Sequence, residues 1–148
     1  YANIVNKIDC KKFSFHVYDP FYNQEKFLLP FKVSFFKDFN LLKKYNWDMV
    51  NFGSSIQYLD NLNILNNINF TKTNVVSITH TPINLKRSYE EIQSNHKNLK
   101  QNIQSLNEIK KFFFKHKFKL IFKSRNDDNL SGTKNKKDTY LLNLIFSK

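Results

Sequence analysis

Between Ser105 and Lys123 the apolar residues change period without a gap, and no other stretch constrains the fold as tightly. Leu106, Ile109 and Phe113 recur at three and four residues, the spacing of one helix face. Phe118, Leu120 and Phe122 then alternate with Lys117, Lys119 and Lys123, the spacing of a strand with one apolar and one basic face. Ser105 followed by Glu108 is a Ser-x-x-Glu capping box, so the helix is predicted to begin at Leu106. A second alternating run, Tyr140, Leu142, Leu144 and Phe146, predicts an antiparallel partner. The two strands form a hairpin around a polar loop over 126–138, with register set by burial, and the last strand extends the sheet by one edge.

The rest of the chain supplies the other elements. Phe13, Phe15 and Val17 predict a strand that Asp19-Pro20 stops. Phe31, Val33 and Phe35 predict a second. From Asn40, the expected N-cap, Leu41, Leu42, Tyr45, Met49 and Phe52 follow helical steps and predict an amphipathic helix. Gly53-Ser54-Ser55 ends it, or Ile56 and Leu59 continue it. Residues 62–69 alternate loosely. Val76, Ile78 and Thr79 predict a strand entering Thr81-Pro82, and 84–95 reads as a polar connection. The order is α+β, with helices on one face of a mostly antiparallel sheet, and it contains the βαββαβ pattern of a ferredoxin-like fold. The expected organisation is an N-terminal extension over 1–30, a ferredoxin-like domain over 31–124 and a C-terminal hairpin extension over 125–148.

The chain carries 24 Lys and Arg against 12 Asp and Glu, a net charge of +12. Residues 97–148 hold 13 cations and four acids, so the basicity belongs to the C-terminal third. A field of that sign attracts polyanions. Composition needs one discount. With 21 Asn, 22 Lys, 16 Phe and 12 Ile against one Ala and two Gly, the chain reads as the product of an AT-rich genome, organellar or parasite-like. The Asn-rich run 61–69 is then drift rather than disorder. The Lys excess survives, because Asp is equally accessible to such codons and Lys still outnumbers all acids.

Several chemistries are excluded. A single Cys rules out intrachain disulfides, and no apolar run reaches the length of a membrane span. His16, His80, His96 and His116 share no acid at triad-like spacing, and two glycines cannot build a phosphate loop. Cys10, beside Lys11 and Lys12, reads as an ordinary thiol, and Asp127-Asp128 as turn formers. No catalytic set, cofactor or metal is expected. In the run from Lys110 to Lys119 the phenylalanines are expected in the core, with the lysines on the exposed sides within reach of phosphates. Residues 1–30 show no signal-peptide pattern, and Asp9, Asp19 and Glu25 argue against a mitochondrial presequence, which an organelle-encoded chain would not need.

Two segments carry a family resemblance. Phe35-Phe36-Lys37-Asp38-Phe39-Asn40 is similar to a strand ending in Lys-x-Phe/Tyr-Asp before a helix. Thr81-Pro82-Ile83-Asn84-Leu85-Lys86-Arg87-Ser88-Tyr89-Glu90, followed by Ile92 and His96-Lys97-x-Leu99, is similar to a strand entering Ser-Pro-His-Val-Asn-Lys-Lys-x-Arg-x-x-Phe/Tyr-Glu. Together with the helix and strand from Leu106 to Lys123, these residues resemble the small-subunit ribosomal protein S-ten family over 31–124. The chain departs from that pattern at Ile83, where the family has His, and needs two single-residue insertions between Tyr89 and His96. Phe13 to Asp19 also ends in Tyr-Asp, but lies too far from Pro82 to serve as the family's first strand.

The resemblance implies a ferredoxin-like domain in the head of the small ribosomal subunit, with an arm between strands two and three that enters ribosomal RNA. Lys86, Arg87, Tyr89 and His96 would lie on or near that arm, with Lys97 beside them. It also implies a strand over 97–103, where Leu99, Ile103 and Leu106 keep helical spacing; strand and helix are both open there. The C-terminal loop adds Lys134, Lys136 and Lys137 as candidate phosphate contacts. The expected role is a structural, non-enzymatic constituent of a mitochondrial ribosome in the matrix, encoded in the organelle. It would act as a monomer within the assembly, its partners being ribosomal RNA and neighbouring small-subunit proteins. A supernumerary subunit of another organellar assembly, such as a respiratory complex, leaves the basic third without a partner. A nucleic-acid-modifying enzyme lacks an acidic metal cluster.

Overall fold

The computed structural model describes residues 13–19, 33–93, 99–126, 130, 133 and 137–148. Cys10, His96, Lys97, Asp127, Asp128, Gly132, Lys134 and Lys136 lie outside them. The fold is mixed α+β, mostly sheet with few helices. It divides into two units, Tyr1–Tyr45 and Asn46–Lys148. No helix among the described residues is long and apolar enough to cross a membrane.

In the first unit, β1 (Phe15–Tyr18) pairs parallel with β2 (Val33–Phe36), Phe15 opposite Val33. Both fall on the predicted alternating runs. The His16 ring stacks on Phe36 with centroids 5.7 Å apart, and Tyr18 meets Phe39 edge-on at 4.9 Å. A 3-10 helix follows over Phe39–Lys44. Its N-cap is Asp38, whose carboxylate accepts from the Asn40 amide at 2.9 Å; Asn40 itself lies inside the turn.

The amphipathic α-helix predicted from Asn40 through Phe52 does not form. The 3-10 turn stops at Lys44, and Met49–Gly53 is a strand, β3. Asn46 and Asp48 favour non-helical backbone, and the Asp48 carbonyl accepts from the Asn74 amide at 2.9 Å, which sets β3 beside its partner. Phe52 is buried by sheet pairing, opposite Ile78.

The second unit contains β3, β4 (Val75–Asn84), β5 (Tyr89–Ile92), β6 (Lys100–Ile103), β7 (Lys119–Asn126) and β8 (Thr139–Ser147), with helix α1 (Leu106–Lys115). A four-stranded sheet runs in the order β3-β4-β8-β7. β3 and β4 are parallel, while β8 is antiparallel to both β4 and β7. The predicted hairpin of the last two strands is present, Lys119 opposite Ser147. Its last strand, however, does not form the edge: β8 lies inside the sheet and β7 lies outside. Charge explains the order. β8 holds no Asp, Glu, Lys, Arg or His, whereas β7 carries Lys119, Lys123 and Arg125, and edges are where sheets place charged strands.

The crossover from β3 to β4 holds two 3-10 helices, Ile56–Tyr58 and Leu62–Asn67. The Asn-rich run is therefore ordered, as a helix and not as the loose alternation predicted. Asn61 accepts from the Asn63 amide at 2.9 Å, and Leu62, Leu65 and Ile68 are buried at three-residue steps, the 3-10 period. In β4, Thr79 to Thr81 form a bulge where the register with β8 shifts. His80 there adopts a left-handed φ of 50°, its amide donating to Asn143 Oδ1 at 2.8 Å. Pro82 lies beyond β3's last pair, Gly53 with Thr79, where β4 has a partner on one side only and proline is tolerated.

α1 starts as predicted: Ser105 Oγ accepts from the Glu108 amide at 3.2 Å. It ends in a Schellman motif. Lys117 takes a left-handed φ of 67°; its amide reaches the Phe114 carbonyl at 2.9 Å and that of Phe118 reaches Phe113 at 3.0 Å. That turn carries the helix straight into β7. Ile109, Phe112 and Phe113 face the core, where Phe113 meets Phe146, Phe118, Phe70 and Phe52. The core expectation holds for Phe112, Phe113 and Phe118 and fails for Phe114, which is 71% exposed.

His116 caps α1 between the rings of Phe70 and Phe112, its Nε2 3.2 Å from Asn66 Oδ1. Burial, then the charges of Lys115 and Lys148, hold its imidazole below the ordinary 6.5. The unfolded chain thus binds the proton more readily, so stability rises with pH across this window. The contribution is complete above 6.5 and fades as pH falls through the lowered folded value. Urea midpoints of the natural chain and of His116→Gln should differ most above 6.5 and converge as pH falls below it. A constant difference would show that the ring binds its proton equally well folded and unfolded.

Candidate nucleic-acid interface

Three of the sequence-predicted contacts, Lys86, Arg87 and Lys137, are brought together by one buried amide. Asn84, at the end of β4, is 4% exposed. Its Oδ1 accepts from the backbone amides of Lys86 and Arg87 at 2.8 and 2.9 Å. Its Nδ2 donates to the Lys137 carbonyl at 3.0 Å and to Thr139 Oγ1 at 2.9 Å. Asn is suited to this place because its short amide mimics a backbone turn and offers donors and acceptor together. The Leu85 amide donates to the Asp138 carbonyl at 2.8 Å, closing the turn against the start of β8.

The result is a fixed loop with cations on its outside. Lys86 and Arg87 are exposed, and Lys86 Nζ lies 2.8 Å from Asp138 Oδ2 at the surface. That pair is solvent-screened and weak, so it orients Lys86 without removing its charge from reach of a stronger anion. Lys137 is exposed on the opposite side of Asn84. Tyr89 has another role: its hydroxyl lies 3.0 Å from Thr139 Oγ1. Burial pushes its pKa up against the lowering effect of the Thr139 bond, with Glu91 adding to the rise. The phenol therefore stays protonated and anchors β5 to β8.

A second tie runs to α1. The Ser88 hydroxyl bonds Glu108 Oε2, and the Ser105 amide donates to Ser88 Oγ at 2.7 Å. In a simple capping box Glu108 would itself reach the Ser105 amide; here Ser88 stands between them. The helix cap and the cationic turn are thereby one hydrogen-bonded unit. Beyond the turn, β5 and β6 form an antiparallel hairpin, Tyr89 opposite Ile103, with Lys100 Nζ 2.6 Å from Glu90 Oε2. Part of the polar connection expected over 84–95 is thus strand β5, and within the open choice over 97–103 the residues Lys100–Ile103 are strand, paired with β5 before α1 begins, while 97 and 98 lie outside the described residues.

Sequence reading missed Asn84, Ser88, Asp138 and Thr139 as the residues that build the site. Asn84 carried a signal, an Asn two residues before paired cations; the others are brought in by tertiary pairing. Comparison with family models, curated proteins and solved structures returns no match.

Proposed function

We propose that this chain is a structural, RNA-binding constituent of the small subunit of a mitochondrial ribosome, related to the ribosomal protein S-ten family, and that it performs no catalysis. The observation that carries the reading is the Asn84-centred turn. It presents Lys86 and Arg87 at the root of the β5–β6 hairpin, the place where the family resemblance expects an RNA-entering arm. The mixed α+β make-up of this unit supports the reading at the level of fold class; the ferredoxin-like βαββαβ core is proposed on the resemblance, since the four-stranded sheet runs β3-β4-β8-β7 and β6 pairs with β5 outside it. The net charge of +9 over 97–148, from 13 cations and four acids, supports a polyanionic partner. Ribosomal RNA and neighbouring small-subunit proteins in the matrix are the partners this reading names.

Replacing Lys86 and Arg87 together with glutamine should weaken RNA binding and lower the slope of log K against log salt by about one to two. An unchanged slope at unchanged affinity would place those side chains against solvent or protein. Sedimentation of the native particle supplies the second arm of the test. Co-migration with small-subunit RNA is expected; co-migration with an RNA-free respiratory assembly would overturn the reading.

A further inference from the structure

The exposed face of α1 repeats at helical spacing: Asn107, Lys110, Lys111 and Phe114 fall at i, i+3, i+4 and i+7, one stripe. It borders an open groove of about 460 Å³ whose other wall is Lys119 and Leu120 of β7, with Phe118 and Phe146 contributing from the core. Among the described residues no acid lines this groove. Glu108 is the one acid between residues 97 and 126, and it is engaged by Ser88. The lysines thus create an uncompensated positive field around an exposed phenylalanine ring.

We infer that the α1–β7 groove is a second nucleic-acid site, specific for single-stranded RNA. One base stacks on Phe114, and flanking phosphates are held by Lys110, Lys111 and Lys119. The charge selects a polyanion, and the ring selects a polyanion with an exposed flat face. A single strand offers both; a duplex keeps its bases stacked inside and offers only phosphates. Recognition is tolerant of sequence, since every base has such a face. The site shares none of its lining residues with the Asn84 turn, so it extends the RNA-binding reading to another surface.

The test is fluorescence anisotropy of the full chain with a short fluorescein-labelled uridine oligonucleotide and, separately, a hairpin duplex RNA. Phe114→Ala should weaken oligonucleotide binding about five-fold or more, the lower end of what stacking on an aromatic contributes, and duplex binding by less than about two-fold. Phe114→Trp should restore or tighten it. Lys110→Gln with Lys111→Gln should lower the oligonucleotide salt slope by about 1.4. The site is refuted by unchanged oligonucleotide affinity in Phe114→Ala, by equal losses for duplex and single strand, or by polyglutamate competing as well as the oligonucleotide. The Lys86→Gln, Arg87→Gln variant separates the two readings: loss there with none at Phe114 sinks this site alone, and the reverse sinks the turn alone.

Discussion

Phe113→Ala is expected to destabilise the Asn46–Lys148 unit by about 3–5 kcal/mol, whereas Phe114→Ala, one residue on, should change stability by less than about 0.5 kcal/mol. Phe113 is 0% exposed. Its ring lies 4.8 Å from Phe146, 6.2 Å from Phe118, 6.0 Å from Phe70 and 6.4 Å from Phe52, joining α1 to β3, the crossover, β7 and β8. Truncation removes the transfer free energy of the ring and leaves a void that four other aromatics cannot all move to fill. Phe114, 71% exposed at the rim of the α1–β7 groove, loses mostly solvent contact. Urea denaturation followed by circular dichroism reads both, with an unchanged m-value confirming that the native state is intact. Comparable losses at the two positions would mean that the helix is rotated about its axis relative to the arrangement described.

Asn84→Ala should cost about 2–4 kcal/mol, because it strands two amides and a carbonyl at a buried site. For a unit of this size the melting temperature should fall by roughly 10 °C or more. The backbone amides of Lys86 and Arg87 lose their acceptor, so their hydrogen exchange should accelerate far more than that of the β4 core amides. Asn84→Asp keeps the acceptor for those amides but loses the donor to Lys137 and Thr139. It should therefore spare exchange at Lys86 and Arg87 while still lowering stability. If Asn84→Ala leaves exchange at these two positions unchanged, the turn is held by the Leu85–Asp138 bond and the Ser88 link, and Asn84 is not its centre.

What local sequence determines here is whatever rests on a period and its punctuation. The Ser105 cap, the apolar stripe of α1, its direct passage into β7 and the alternation within β7 and within β8 all follow from side chains a few residues apart, because helix and strand place such residues on one face. The cationic character of the C-terminal third is likewise legible without coordinates. The stretch from Asn40 to Phe52 shows the boundary of that reasoning. Its three- and four-residue spacing suits a helix, yet Phe52 is buried and Val50 half-buried by pairing with Ile78 and Val76, partners about 26 residues away that no local period encodes. Only the tertiary structure set β8 between β4 and β7, placed His80 in a left-handed bulge, and gathered Lys137 and Thr139 around Asn84 from more than 50 positions along the chain. The physical reason is common to all three. A strand's neighbours, and the partners of a buried amide, are chosen by competition among distant segments for hydrogen bonds and burial, and that competition is resolved only when the whole sheet has formed.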